Sequence, residues 1–222
     1  GKEIISDSNY ISDAVKIIGK LNKPQQVTID IGGGAAKTIA PKLLQEIGCQ
    51  VETINDELDG CSRGPDPTSN ELTELVSKTK DLGFAFDLDS DRVILVMNGG
   101  KKSSDITLGL GVVKAIKLGI KKFVLSIDSS LAVEKYIIQH GGKVSRSKVG
   151  EANVIQMMIE NDAEAGGEGS SGGFILRKFN MCRDGLLTSG LIASMIDDES
   201  IQKDIEFFAV SYTHLRAHET RH

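Results

Sequence analysis

The 222-residue chain carries 26 Lys and Arg against 31 Asp and Glu, a formal net charge of −5, and 40% of its residues are hydrophobic. This is ordinary globular composition: no basic stripe favours nucleic acid, no apolar run approaches the ~18 residues of a membrane span, and the first residues lack a signal-peptide layout. Cys49, Cys61 and Cys182 are widely spaced and odd in number, which argues against a disulfide framework or a structural zinc site and fits reduced thiols in the cytoplasm.

Ile11, Val15 and Ile18 share one helical face, so the spacing predicts a helix over Asp7–Leu21, ended by Asn22-Lys-Pro24. The β-branched run Gln26–Ile31 predicts a buried strand, Gly32-Gly-Gly34 a turn, Ala35–Ile47 a helix with Gly48 at its C-cap, and Cys49–Ile54 a second strand. Strand–helix–strand is the signature of a parallel sheet. A polar loop over Asn55–Ser69 should lead, with Thr68 or Ser69 as cap, into a helix over Asn70–Thr79. Strands at Phe84–Phe86 and Arg92–Met97 should follow, and Asn98–Ser104 is the best linker candidate.

The alternation then repeats. Helices are predicted over Asp105–Leu118, Ser130–His140, Ala152–Glu160 and Asp184–Ile196. Strands are predicted over Lys122–Ile127, Lys143–Lys148 and near Phe174–Leu176, with a glycine-rich loop before the last strand. The expected fold class is α/β: two consecutive three-layer domains with mixed, mainly parallel sheets, over residues 1–101 and 102–207. Residues 208–222 lose apolar periodicity and read as a non-native tail. His214, His218 and His222 are spaced as a helical metal site would be, but SYTHLRAHET resembles translated cloning or adapter sequence.

The run Asp87-Leu-Asp89-Ser-Asp91-Arg92 carries the strongest chemistry. Carboxylate oxygens are hard ligands suited to magnesium or calcium. The three acids alternate, so in extended chain they project to one side, and a divalent cation would offset their repulsion. An EF-hand needs glycine at position six and glutamate at position twelve of its loop; Arg92 and Asn98 stand there, between strands rather than helices.

Phe84-Ala-Phe-Asp-Leu-Asp-Ser-Asp-Arg-Val-Ile resembles the D-x-D-x-D-R metal loop of the α-D-phosphohexomutases, the phosphoglucomutase/phosphomannomutase/phosphoglucosamine mutase superfamily. The resemblance spans about residues 1–205. It includes Gly32-Gly-Gly34, Ala40-Pro-Lys-Leu-Leu44 and Pro65-Asp-Pro67. It begins where that family's second domain begins. It implies two middle domains of four, Mg2+ on Asp87, Asp89 and Asp91, and a supporting role for Arg92 on the transferring group.

Ala165-Gly-Gly-Glu-Gly-Ser-Ser-Gly-Gly-Phe174 is by composition a flexible connector. It is similar to the family's sugar-recognition loop, G-G-E-x-S-G-H. That implies hexose hydroxyls bound by Glu168 and by Ser170 or Ser171, the register depending on one extra residue, with Gly173 where many members have histidine. The glycine form, with Cys182-Arg-Asp-Gly185 after it, resembles an archaeal-type branch. Lys148-Val-Gly-Glu151 resembles a further cleft turn, which makes Lys148 a candidate. Gly32-Gly-Gly-Ala-Ala-Lys-Thr38 fails the Walker A spacing and only half fits G-x-G-x-x-G, so a nucleotide-binding domain has weak support.

The implied activity is a cytoplasmic phosphohexomutase that shifts a phosphoryl group between the 6- and 1-positions of a hexose phosphate. It would work through a phosphoserine and be activated by a glucose-1,6-bisphosphate-type sugar. No serine here lies in the family's T-A-S-H-N-P context. The resemblance therefore places the phosphoserine on a missing domain I and the phosphate grip on a missing domain IV, with the sequence at hand inactive alone. The alternative is a non-catalytic magnesium- or phosphosugar-binding α/β module.

Overall fold

The computed structural model describes residues 7–57, 63–198 and 200–209. The chain divides into two compact units, Gly1–Lys102 with Gly185–Ser194 and Ser103–Asp184 with Met195–His222. The expected domain division assigned 185–194 to the second half. In the structure these residues pack in the first, a return that local periodicity cannot reveal.

In the first unit, α1 (Asp7–Ile18) precedes β1 (Gln25–Asp30), α2 (Ala36–Ile47), β2 (Cys49–Ile54), α3 (Thr73–Lys78), β3 (Leu82–Phe86), β4 (Val93–Met97) and β5 (Gly100–Lys101). The sheet order is β2-β1-β3-β4-β5. β1 runs parallel to β2 and β3, and the last two pairings are antiparallel. Period-two alternation separates its faces: Ala85, Ile94 and Val96 pack with Leu72 and Leu75 around α3. The opposite face meets α2 and α7 (Gly185–Ala193).

The segment expected as a linker, Asn98–Ser104, contains the division between the two units, at Lys102 and Ser103. Within it Asn98 (φ 52°) and Gly99 (φ 69°) turn the chain between β4 and β5, the left-handed pair of a tight hairpin, and Ser103 caps the next helix. One expectation needs correction here. The helix expected from Asn70 starts at Thr73, after Leu72 in a left-handed conformation and without a side-chain cap. Thr68 bonds Asp66 instead, through its amide (2.8 Å) and hydroxyl (2.7 Å).

The second unit contains α4 (Ser104–Lys117), β6 (Lys122–Ser126), α5 (Leu131–Gln139), β7 (Lys143–Ser147), α6 (Glu151–Glu160), β8 (Ala165–Glu168) and β9 (Gly173–Leu176). Its sheet order is β7-β6-β8-β9, parallel except for β8–β9. That order repeats the β2-β1-β3-β4 core of the first sheet. Helix α6 packs through Val154 and Met158 on Val124 and Ile175, while α4 and α5 lie against the other face. β8 was not foreseen: its alanine and glycines read as loop, yet all four residues are buried. Gly167 has room for no side chain, because a Cβ there would overlap Leu108 and the Gly173 carbonyl. A further helical segment at 201–209 was also unforeseen. It places Phe207 and Phe208 on Tyr136 and buries Phe208, the first residue assigned to the tail. The three tail histidines and Cys61 lie outside the described residues.

Burial pushes the Cys49 thiol up to about 12, so almost none of it is thiolate at neutral pH, and thiolate is the nucleophile. Brief alkylation of the folded chain at pH 8 should therefore spare Cys49 while denaturant exposes it. Peptide mass spectrometry checks this, and equal labelling in both states would contradict the packing described.

Candidate functional site

Strand β3 is fully buried and delivers the chain into Asp87, whose carboxylate is itself buried at 2% exposure. The carboxylates do not converge by extended alternation as expected. Residues 87–91 form a tight turn, with the Ser90 amide donating to the Asp87 carbonyl (3.3 Å) and Ser90 at φ 65°. One oxygen each of Asp87, Asp89 and Asp91 then lies within 4.8 Å of the others, with Asp89 exposed and Asp91 partly so. Octahedral Mg2+ with bonds of about 2 Å sets ligand oxygens about 3–4 Å apart. The three acids therefore need only small adjustments, and they fit a hard divalent cation.

Arg92 holds this turn. Its amide donates to Asp87 Oδ1 (3.2 Å) and its Nε to Oδ2 (2.6 Å). The same guanidinium lies 3.5 Å from Asp91 and 3.5 Å from Asp66. Burial nevertheless raises the Asp87 carboxyl above its ordinary range, and Asp91 adds to this against the pull of Arg92. Burial is the first cause of that rise, and an opposite charge brought close would favour the ionised form. A close approach supports the turn from outside: the Ala35 amide donates to the Leu88 carbonyl (2.8 Å), and a Cβ on Gly34 would lie 2.7 Å from Leu88 Cα.

In the second unit Glu168 ends β8, opposite Gly173 of β9, so the expected loop is a hairpin with a short tip. Glu168 is buried. Its Oε1 accepts from the Gly150 amide (2.6 Å) and its Oε2 from Arg183 Nη1 (2.9 Å). The Lys148-Val-Gly turn is thus joined to the glutamate through Gly150, while the Lys148 side chain is exposed. Of the two candidate serines, Ser171 is buried, with its Oγ 3.5 Å from Arg183 Nη1, and Ser170 is exposed. The Gly169 amide donates to Ser129 Oγ (2.9 Å), which anchors the tip to the end of β6.

Arg183 is the functional candidate that the sequence reading passed over. It stood in Cys182-Arg-Asp-Gly185, used there only as a branch marker; no local spacing ties it to Glu168, 15 residues away. Breaking a buried ion pair by removing one partner typically costs about 3 kcal/mol. Arg183→Met should destabilise the second unit by about that much in urea unfolding, and a loss too small to detect would mean that the pair does not hold the hairpin.

Residues 8–100 match phosphoglucomutase/phosphomannomutase, alpha/beta/alpha domain II, and residues 105–209 match domain III of the same family. A probable phosphoglucosamine mutase of Methanothermobacter thermautotrophicus is 32% identical over 215 residues, covering 94% of this chain and 46% of that protein. A phosphoglucosamine mutase of Campylobacter curvus is 36% identical over 187 residues, covering 78% and 41%. The chain spans about half the length of the curated relatives it matches. Among solved structures, a putative phosphomannomutase from Thermus thermophilus superposes with a TM-score of 0.79 at 20% identity, covering 92% of this chain and 50% of that one. The chain belongs to the phosphoglucomutase/phosphomannomutase family, of which it carries the α/β/α domains II and III.

Proposed function

We propose that this chain supplies the metal loop and the sugar-recognition hairpin of a phosphohexomutase that interconverts the 6- and 1-phosphates of a hexose, with glucosamine phosphate the first substrate to test. The observation that carries this reading is the convergence of Asp87, Asp89 and Asp91 on an arginine-held turn at the end of β3. The names of the relatives support the choice of sugar. Asp87, Asp89 and Asp91 would hold Mg2+. The bound ion would act as a Lewis acid on the oxygens of the group in transfer, a reaction that depends mainly on alignment and charge neutralisation.

The chain's own residues prepare that chemistry. Arg92 fixes the Asp87 carboxylate with its amide and Nε, and its guanidinium would also meet a phosphoryl oxygen, a role suited to the planar fork. Glu168 and Ser171 would accept and donate to hexose hydroxyls, with Arg183 setting the Glu168 rotamer; exposed Ser170 on the hairpin tip, and exposed Lys148 on the turn that Gly150 joins to Glu168, would be further contacts. The phosphoryl donor would be a phosphoserine outside these 222 residues. It would pass its phosphoryl group to one sugar hydroxyl and take the other back from the bisphosphorylated intermediate, which explains a bisphosphate sugar as activator.

Two measurements test this. Mn2+ titration of the chain, followed by paramagnetic broadening, should show weak binding centred on residues 87–92, and Asp87→Asn should weaken it at least about tenfold; broadening elsewhere, or none, would remove the metal assignment. In a coupled assay with Mg2+ and a bisphosphate primer, the 222 residues alone should give no turnover of glucosamine 6-phosphate. The same residues expressed with whatever coding sequence flanks them should turn it over and lose activity in chelator. Turnover by the 222 residues alone would overturn the external phosphoserine.

A further inference from the structure

The turn at Asp87 is gripped on both sides, and one grip comes from a buried arginine that the metal-loop chemistry does not use. The peptide carbonyls flanking Asp87 belong to Phe86 and to Asp87 itself, and the next one along is that of Leu88. Phe86 O, at the end of β3, accepts from Arg63 Nη2, and Leu88 O accepts from the Ala35 amide at 2.8 Å. Arg63 Nε donates to Asp30 Oδ2 at 2.8 Å, and the two side chains are only 9% and 2% exposed. Asp30 ends β1 beside Ala85 of β3, and its other oxygen accepts from the Gly32 amide at 2.9 Å.

The guanidinium occupies a defined space. A Cβ on Gly32 would lie 2.9 Å from Arg63 Cζ and 3.1 Å from Phe86 O. The other end of the residue is pinned as well: Arg63 Nη1 donates to the Gly64 carbonyl (2.9 Å), and Asn70 Nδ2 donates to the Arg63 carbonyl. Buried ion pairs are poor sources of net stability, since an apolar replacement of similar volume often does as well. This pair does something that an apolar replacement could not, because it ends on the carbonyl from which Asp87 departs.

We infer that Arg63 is a positioning residue for the metal loop: its fork spans the Asp30 carboxylate and the Phe86 carbonyl, and so sets the direction in which Asp87 presents its carboxylate to the ion. The inference rests on the metal assignment made above. A lysine could keep the ion pair with Asp30, but a single ammonium lacks the planar fork that serves both acceptors at once.

The test uses the whole 222-residue chain with Mn2+ as probe, read by NMR broadening, alongside thermal unfolding. Arg63→Lys should fold, weaken Mn2+ binding about tenfold as loss of a supporting contact does, and shift the amide resonances of residues 87–92. Lys101→Met serves as the control. It removes a lysine that bonds the Thr68 and Asn70 carbonyls of the same loop at 2.6 Å each, so it should lower stability and leave Mn2+ affinity unchanged. Wild-type affinity in Arg63→Lys would overturn the inference while leaving the metal assignment intact. Equal affinity losses in Arg63→Lys and Lys101→Met would reduce Arg63 to a loop-stabilising role and overturn it too. If Mn2+ broadens none of residues 87–92 in the wild type, the metal assignment fails and the inference fails with it.

Discussion

Carboxylates buried at the ends of strands are the constraint around which both units are arranged. Asp87 leaves a fully buried strand at 2% exposure, with two further carboxylates beside it. An ionised acid in that setting must be compensated by partners of opposite charge and by donated hydrogen bonds. Arg92 provides both from its backbone and its side chain, five residues along the same turn. Its remaining attraction is divided among Asp66 and Asp91. Burial still holds the Asp87 carboxyl above its ordinary range. Three carboxylate oxygens within 4.8 Å of one another are suited to take up a cation.

The second unit solves a related problem in the same place. Its strand order repeats that of the first sheet: the first strand lies between the second and the third, and the fourth closes antiparallel on the third. Asp87 follows the third strand of one sheet, and Glu168 ends the third strand of the other. Both sit at the carboxyl end of a parallel strand, where α/β sheets gather their ligand sites. Glu168 is satisfied by the Gly150 amide and the Arg183 guanidinium, and Glu151 accepts from the Arg183 amide (2.6 Å). The repeated topology thus carries two different chemistries. One end gathers three aspartates on a single arginine, and the other presents a hydrogen-bonded edge flanked by Ser171.

Much of this was legible in the order of residues. The apolar runs at Gln26–Ile31, Cys49–Ile54 and Lys122–Ile127 became β1, β2 and β6 within a residue at each end. Dense β-branched composition leaves few alternatives to a buried strand. Gly48 capped α2 as expected, in a left-handed conformation at φ 110°. Three aspartates spaced by two and followed by arginine marked the cluster whose oxygens the structure brings within 4.8 Å of one another, because carboxylate chemistry belongs to residue type and local spacing. The failures share a cause as well. β8 is built from Ala-Gly-Gly-Glu, residues of low strand propensity, and it is a strand because β6 and β9 offer it hydrogen bonds on both sides while Leu108 and Met158 leave no room for larger side chains.

By itself, then, the sequence determined the α/β alternation, the family resemblance and the identity of the acids, since each depends on neighbours within a few residues. The tertiary structure decided everything that required distant residues to meet. It assigned 185–194 to the first unit and folded the start of the linker segment into a hairpin. It paired Arg183 with Glu168 across 15 residues and brought Arg63 to the carbonyl of Phe86 across 23. It also distinguished exposed Ser170 from Ser171, buried beside Arg183, which local spacing had left equal. Such pairings are set by how buried polar groups find partners once the sheets have formed. A buried charge must be answered by whichever residue the fold brings within hydrogen-bonding reach, wherever that residue lies in the chain.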